Sequence, residues 1–143
     1  MKALSVLGFL LMVAAIVGLY YLQALFSLSP LVIGVQLAAV ALMVWARVAF
    51  GRRSFHAAAN PTAGGLVTTG PYGHIRHPIY AAGLIIIWAG VLAHLSATSL
   101  GLGVLGLLGA GLRMVAEERL VIERYPEYRA YAARTKRLVP GVF

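Results

Sequence analysis

Four long apolar runs divide this 143-residue chain, at about 4–26, 31–50, 79–95 and 98–115. A helix that crosses a bilayer needs about 20 such residues. The first two runs reach that length, and the other two lie near the lower end of the workable range, roughly 17. All four are expected to be helical, because backbone polar groups in hydrocarbon must bond within their own segment. Composition points the same way: 61% of the residues are hydrophobic and 11% charged, against about 25% charged in soluble chains. A cleaved signal peptide is the competing reading of the first run, but signal cores span only about 7–15 residues. Tyr20, Tyr21 and Phe26 also suit an interfacial aromatic belt. The sequence thus predicts one all-α, polytopic membrane domain over 1–143, with four transmembrane helices and a cytoplasmic helical extension at about 116–137.

The charges give the runs a direction. Twelve Lys and Arg stand against four acids, a formal net charge of +8. The links at 27–30 and near Ser96 carry none of them. Lys2, Arg47, Arg52, Arg53, Arg76 and the series from Arg113 through Arg119, Arg124, Arg129, Arg134, Lys136 and Arg137 all fall on the opposite side. By the positive-inside rule, both termini and the middle loop are expected in the cytoplasm. With no nucleic-acid reader motif beside it, the basic balance is read as topology rather than as nucleic-acid binding. The chain has no cysteine, which removes disulfides, thiolate nucleophiles and Cys-based metal sites. The four histidines are not at metal-binding spacing, so no metal is expected.

Polar chemistry is confined to two places. The first is the loop at 51–78, whose Gly, Pro, Tyr, His and Arg are interleaved. Its glycines allow backbone to approach a ligand closely, and loops of this length in a compact chain are usually functional or disordered. Taken singly, Arg76 and His77 also suit a positive-inside anchor, and Tyr72 and Tyr80 an aromatic belt. His56 reads as a surface loop residue and His94 as an outer-interface residue. The second place is the fourth helix. Ser99, Gly103, Gly106, Ala110, Arg113 and Glu117 fall on one line of a helix turning about 100° per residue. Small residues there let another helix pack closely, and the line ends in an Arg–Glu pair aimed at the bundle. An intramembrane ionisable pair is a functional candidate; the plainer reading is an i,i+4 salt bridge of about 0.2–0.5 kcal/mol. Glu118 lies one position round. This helix is expected to continue past the membrane to about Tyr125, and 127–134 to form a short basic helix able to lie on headgroups. An antiparallel hairpin of the last two spans brings both places to one membrane face.

Two segments, GGLVTTGPYGHIRHPIYAAG at 64–83 and RMVAEERLVIERYPEYRAYAARTKRLVPG at 113–141, resemble the isoprenylcysteine carboxyl methyltransferase family, which overlaps in pattern with the small phospholipid methyltransferases. The resemblance implies an integral membrane methyltransferase that uses S-adenosyl-L-methionine without a soluble Rossmann domain. It implies backbone contacts to that cofactor from Gly65, Leu66 and Val67. Tyr72 and the run His77, Pro78, Ile79 and Tyr80 would form the core of the cofactor site, bordered by Arg76 and Glu118. Glu117 matches the acidic cofactor-binding position, and Arg113 the Arg associated with the methyl acceptor. Arg113 and Glu117 are thus the candidate catalytic residues.

The implied partners are membrane lipids and a lipophilic or lipidated acceptor. In-line methyl transfer rests largely on positioning. A carboxylate acceptor, such as an isoprenylcysteine, is already a nucleophile at neutral pH. An amine acceptor, as on a phospholipid, needs a base, for which Glu118 or His74 are the candidates. An NADPH-dependent membrane reductase sharing the RHPxY element is a further alternative.

Overall fold

The computed structural model describes residues 1–51 and 65–142. Arg52, Arg53, His56 and Gly64, and with them most of the first half of the middle loop, lie outside the described residues. The chain forms helices α1 (Lys2–Tyr21), α2 (Pro30–Phe50), α3 (Pro78–Ala93), α4 (Ala97–Arg124) and α5 (Tyr128–Arg134), with a 3₁₀ turn at Gly70–Gly73. Among the described residues the one extended pairing is an isolated parallel bridge between Ile75 and Lys136. The expected all-α membrane architecture is observed: α1, α2 and α4 are long and apolar enough to cross a bilayer, and α3 is a shorter apolar helix of 16 residues. At 1.5 Å per residue α3 extends about 24 Å, less than a hydrocarbon core of about 30 Å.

Local chemistry sets the ends. Pro30 and Pro78 open α2 and α3 at the first helical position, where the missing N–H costs nothing. α4 begins on a capping box in which Ser96 and Ser99 satisfy each other's backbone N–H. It ends at Arg124 because Tyr125 precedes Pro126 and leaves helical geometry at φ −130° and ψ 87°. α4 is therefore one continuous helix running past the apolar span, as expected from the helix-forming residues up to about Tyr125.

The expected first run is too long. α1 stops at Tyr21, and 22–26 turn back on it: Gln23 takes φ +54°, and the Ala24 N–H reaches the Leu19 carbonyl at 2.8 Å. The reversal presses the carbonyls of Ala24 and Leu25 onto α3 at Gly90, where a Cβ would lie 2.4 Å from the Leu25 oxygen. The buried Gln36 of α2 ties the corner by donating to the Leu25 carbonyl at 2.8 Å and the Ile86 carbonyl at 3.2 Å. α3 likewise ends at Ala93 rather than Leu95, and the His94 ring nitrogen meets the Phe26 carbonyl at 2.8 Å.

α1 packs chiefly on α4 and α2 chiefly on α3, while α3 and α4 touch along the middle. The expected small-residue line on α4 is buried from Ser99 to Arg113, but it divides between two neighbours. Gly103 faces Val91 and Trp88 of α3, and Gly106 faces Ile87 of α3 and Ala15 of α1. The tightest approach on α4 comes from Gly109, off that line. A Cβ there would sit 2.7 Å from the Gly8 carbonyl of α1, and one on Gly8 would sit 2.6 Å from the Gly109 carbonyl. Two apolar clusters result. One holds Leu19, Leu25, Ile87 and Val91; the other holds Leu84, Ala110 and Met114, with Tyr80 and Leu138 against it. The second leads directly to the polar residues.

Candidate functional site

Regular helix geometry places Arg113 and Glu117 one turn apart on α4, and α3 brings Tyr80 between them. The Tyr80 hydroxyl donates to Glu117 Oε1 at 2.5 Å, Arg113 Nε donates to the same oxygen at 3.1 Å, and Arg113 Nε also contacts the Tyr80 hydroxyl. The Arg113 guanidinium carbon lies 5.2 Å from the centroid of the Phe9 ring on α1. Arg113 is 6% exposed, whereas the Glu117 side chain retains 24%. The pair is therefore part of a junction of three helices, open at its carboxylate end. A charge held this far inside a membrane protein is tolerated because it is paired and hydrogen-bonded.

Glu118, one position on, faces a different set. Its Oε1 accepts from Arg76 Nε at 2.9 Å and lies 3.2 Å from His77 Nε2; its Oε2 accepts from Arg137 Nη2 at 2.8 Å. Arg76 also donates through Nη1 to the Ala132 carbonyl at 3.0 Å and to the Thr135 carbonyl. His77 is buried and immediately precedes the fully buried Pro78. Its ring centroid is 5.6 Å from that of Tyr80, which connects the two carboxylate clusters. Ile79 is half-buried beside them.

The preceding loop runs along the end of α2. Gly70, at φ +59°, lies against Trp45 and Ala49 in a space where a Cβ would come within 3.1 Å of Ala49. The Tyr72 ring is 5.4 Å from Phe50. Burial, with Tyr131 and Glu117 nearby, pushes the Tyr72 hydroxyl above its ordinary range. Gly65 adopts φ +80° with open space about it, and its backbone hydrogen-bonds the Tyr125 side chain beyond α4. Leu66 and Val67 line a hollow of about 480 Å³ with Thr68, Thr69 and residues 49–51, within the size range of small-ligand pockets. His74 is exposed.

The structure thus brings together Tyr72, Arg76, His77, Pro78, Tyr80, Arg113, Glu117 and Glu118, and leaves Gly65, Leu66 and Val67 along the α2 edge of the same loop. Several partners went unassigned in the sequence. Arg137 holds Glu118, and the Tyr131 hydroxyl donates to the Tyr72 carbonyl at 2.6 Å. The signal for Tyr131 was a Tyr128–Tyr131 pair at i,i+3 in an otherwise basic segment, which puts both rings on one face; both are buried.

The residues present fit S-adenosyl-L-methionine. A partly open carboxylate at Glu117, with the Tyr80 hydroxyl on it, suits an ammonium or a ribose, and the glycine-bearing 65–67 stretch has open backbone about Gly65. Comparison with curated proteins and with solved structures gives no match. Comparison with protein families matches residues 26–128 to phospholipid methyltransferase. That stretch holds α2, α3, the described part of the loop and all of α4, so the chain belongs to the phospholipid methyltransferase family of integral membrane methyltransferases.

Proposed function

We propose that this protein transfers a methyl group from S-adenosyl-L-methionine to a lipophilic acceptor reached through the membrane, at a site on the cytoplasmic face. The observation that carries the reading is the junction of Arg113, Tyr80 and Glu117. It is walled by α1, α3 and α4, and its carboxylate end is partly exposed. The cofactor supplies an electrophilic methyl on a sulfonium. Glu117 holds its ammonium or ribose, the backbone of 65–67 and the rings of Tyr72 and Tyr80 enclose it, and 76–80 fix those groups in place. In the transfer, an acceptor lone pair forms the new bond to carbon as the carbon–sulfur bond breaks, and the sulfur keeps that electron pair as a thioether.

For the acceptor, one reading is a carboxylate such as that of an isoprenylcysteine, bound by Arg113 and needing no base. A phospholipid amine is the second reading. Two observations support the second: the family match, and the Arg113 charge being already engaged by Glu117 and Tyr80. An amine must also lose a proton. Glu118 is a poor base for that step, since its oxygens accept from Arg76 and Arg137 and contact His77. His74, the other candidate, is exposed to solvent.

The test is binding of S-adenosylhomocysteine to the detergent-solubilised chain, followed by methyl transfer to prenylcysteine and to phosphatidylethanolamine in bilayers. Glu117→Ala and His77→Ala should each weaken binding at least tenfold, with NADPH showing no affinity. Folded wild type that fails to bind S-adenosylhomocysteine sinks the reading, and unchanged affinity in both variants sinks the site. The acceptor that turns over decides between carboxylate and amine.

A further inference from the structure

Beyond α5 the chain doubles back across the loop. Thr135 is buried, with its hydroxyl on the Tyr131 carbonyl at 2.8 Å. Residues 136 and 137 then run parallel to 75–77. The Arg76 N–H donates to the Lys136 carbonyl at 2.7 Å and the His77 N–H to the Arg137 carbonyl at 3.0 Å. Leu138 follows into the apolar cluster of Leu84, Ala110 and Met114. In the sequence this strap carries positive-inside charge, a short basic helix and a place in the resemblance at 113–141, but no role at the donor site, and it lies beyond the matched residues 26–128.

The strap answers a specific problem. Pro78 opens α3, so the two preceding N–H groups have no helical carbonyl to bond, and they sit beside the buried Ile75 and His77. A buried donor without a partner costs about 1–3 kcal/mol. The strap supplies both acceptors, and Arg137 completes the Glu118 carboxylate that also holds Arg76 and contacts His77. Tyr80 stands one turn into the helix that begins here, so the position of 76–77 sets where its hydroxyl meets Glu117.

We infer that the segment at 131–137 is a positioning strap for the methyl-donor site, with Arg137 and Tyr131 as positioning residues that act through Glu118 and Tyr72. This rests on the methyltransferase reading above. Displacements near 1 Å at a reacting centre can cost about 10²-fold in rate, so loosening the strap is felt at the donor.

The experiment uses the full chain in detergent or nanodiscs. Arg137→Ala should weaken S-adenosylhomocysteine binding about tenfold and raise the donor KM, leaving the acceptor KM within about twofold. Arg137→Lys keeps the charge and loses the two-pronged contact, so it should recover part of the affinity. Tyr131→Phe, which removes one hydrogen bond, should cost about threefold. Amide exchange at Arg76 and His77 reads the strap independently of any ligand and should rise in Arg137→Ala. Wild-type donor affinity and wild-type exchange in Arg137→Ala and Tyr131→Phe overturn the proposal. If Arg137→Ala does not fold, Arg137→Lys and Tyr131→Phe decide. Wild type that binds no S-adenosylhomocysteine overturns the methyl-donor reading and the cofactor half of this one, and the exchange rates still settle whether the strap holds 76–77.

Discussion

Glu117 and Glu118 are adjacent, yet a turn of about 100° sends them to different neighbours. The first meets Tyr80 and Arg113; the second meets Arg76, His77 and Arg137. Half of that was legible in the sequence. Helix periodicity put Arg113 and Glu117 on one line because α4 is regular through both, and Glu118 fell to the next wall. Its partner Arg137 was not legible, because it arrives after Pro126 and a short helix, and no period states which way the chain turns there. Tyr131 shows how tightly that turn is held. Burial is the main cause that pushes its hydroxyl up to about 12, with Thr135 and Arg76 opposing. Above the ordinary tyrosine value of about 10, the unfolded chain loses this proton while the folded chain keeps it. The folded form then binds more protons, so stability is intact below about pH 10 and falls as pH rises from there toward about 12. Unfolding in detergent between pH 9 and 11 should show that decline, and Tyr131→Phe should make it shallower without removing it, since burial also raises the Tyr72 and Tyr128 hydroxyls.

Between elements, the decisive contact is Gly8 against Gly109, each with its Cα beside the other's carbonyl. The sequence announced small residues on α4 and not which of them would touch α1. The reason is that α1 is apolar all round, so no polar face marks the side that packs. The line through Gly103 and Gly106 largely meets α3, and the position off the line meets α1. The end of α1 was hidden for a related reason: 22–26 continue an apolar run, and only the donors and surfaces contributed by Gln36 and Gly90 draw it into a corner. Gly109→Ala places a methyl 2.7 Å from the Gly8 oxygen and 2.9 Å from the Met12 nitrogen. Those are backbone atoms of a packed helix, so the helices must part. An overpacking cost of about 1–3 kcal/mol is expected, read as a lowered unfolding midpoint in detergent. Gly111→Ala, with nothing within 4 Å, should leave that midpoint unchanged or slightly higher.

At the scale of the whole molecule, the described basic residues and the polar clusters share one end of the bundle, while the Ser96–Ser99 cap and the Phe26–His94 contact mark the other. By the positive-inside rule the first end is expected in the cytoplasm. With no native cysteine, single-cysteine labelling in intact cells tests this directly. A membrane-impermeant maleimide should reach Ser29→Cys from outside and reach Lys136→Cys only after permeabilisation; the reverse pattern would invert the topology. The pairing of α1 with α4 has a consequence for biogenesis. Among the described helices, α1 finds its main partner only when α4, well downstream, has been threaded into the bilayer, since helices insert separately and associate afterwards. Until then Gly8 faces lipid or a chaperone, and the strap that closes over 75–77 is synthesised later still. The spans and the strap therefore complete the site in two stages: until 131–137 pack over 75–77, the bundle can be assembled while Glu118 still lacks Arg137.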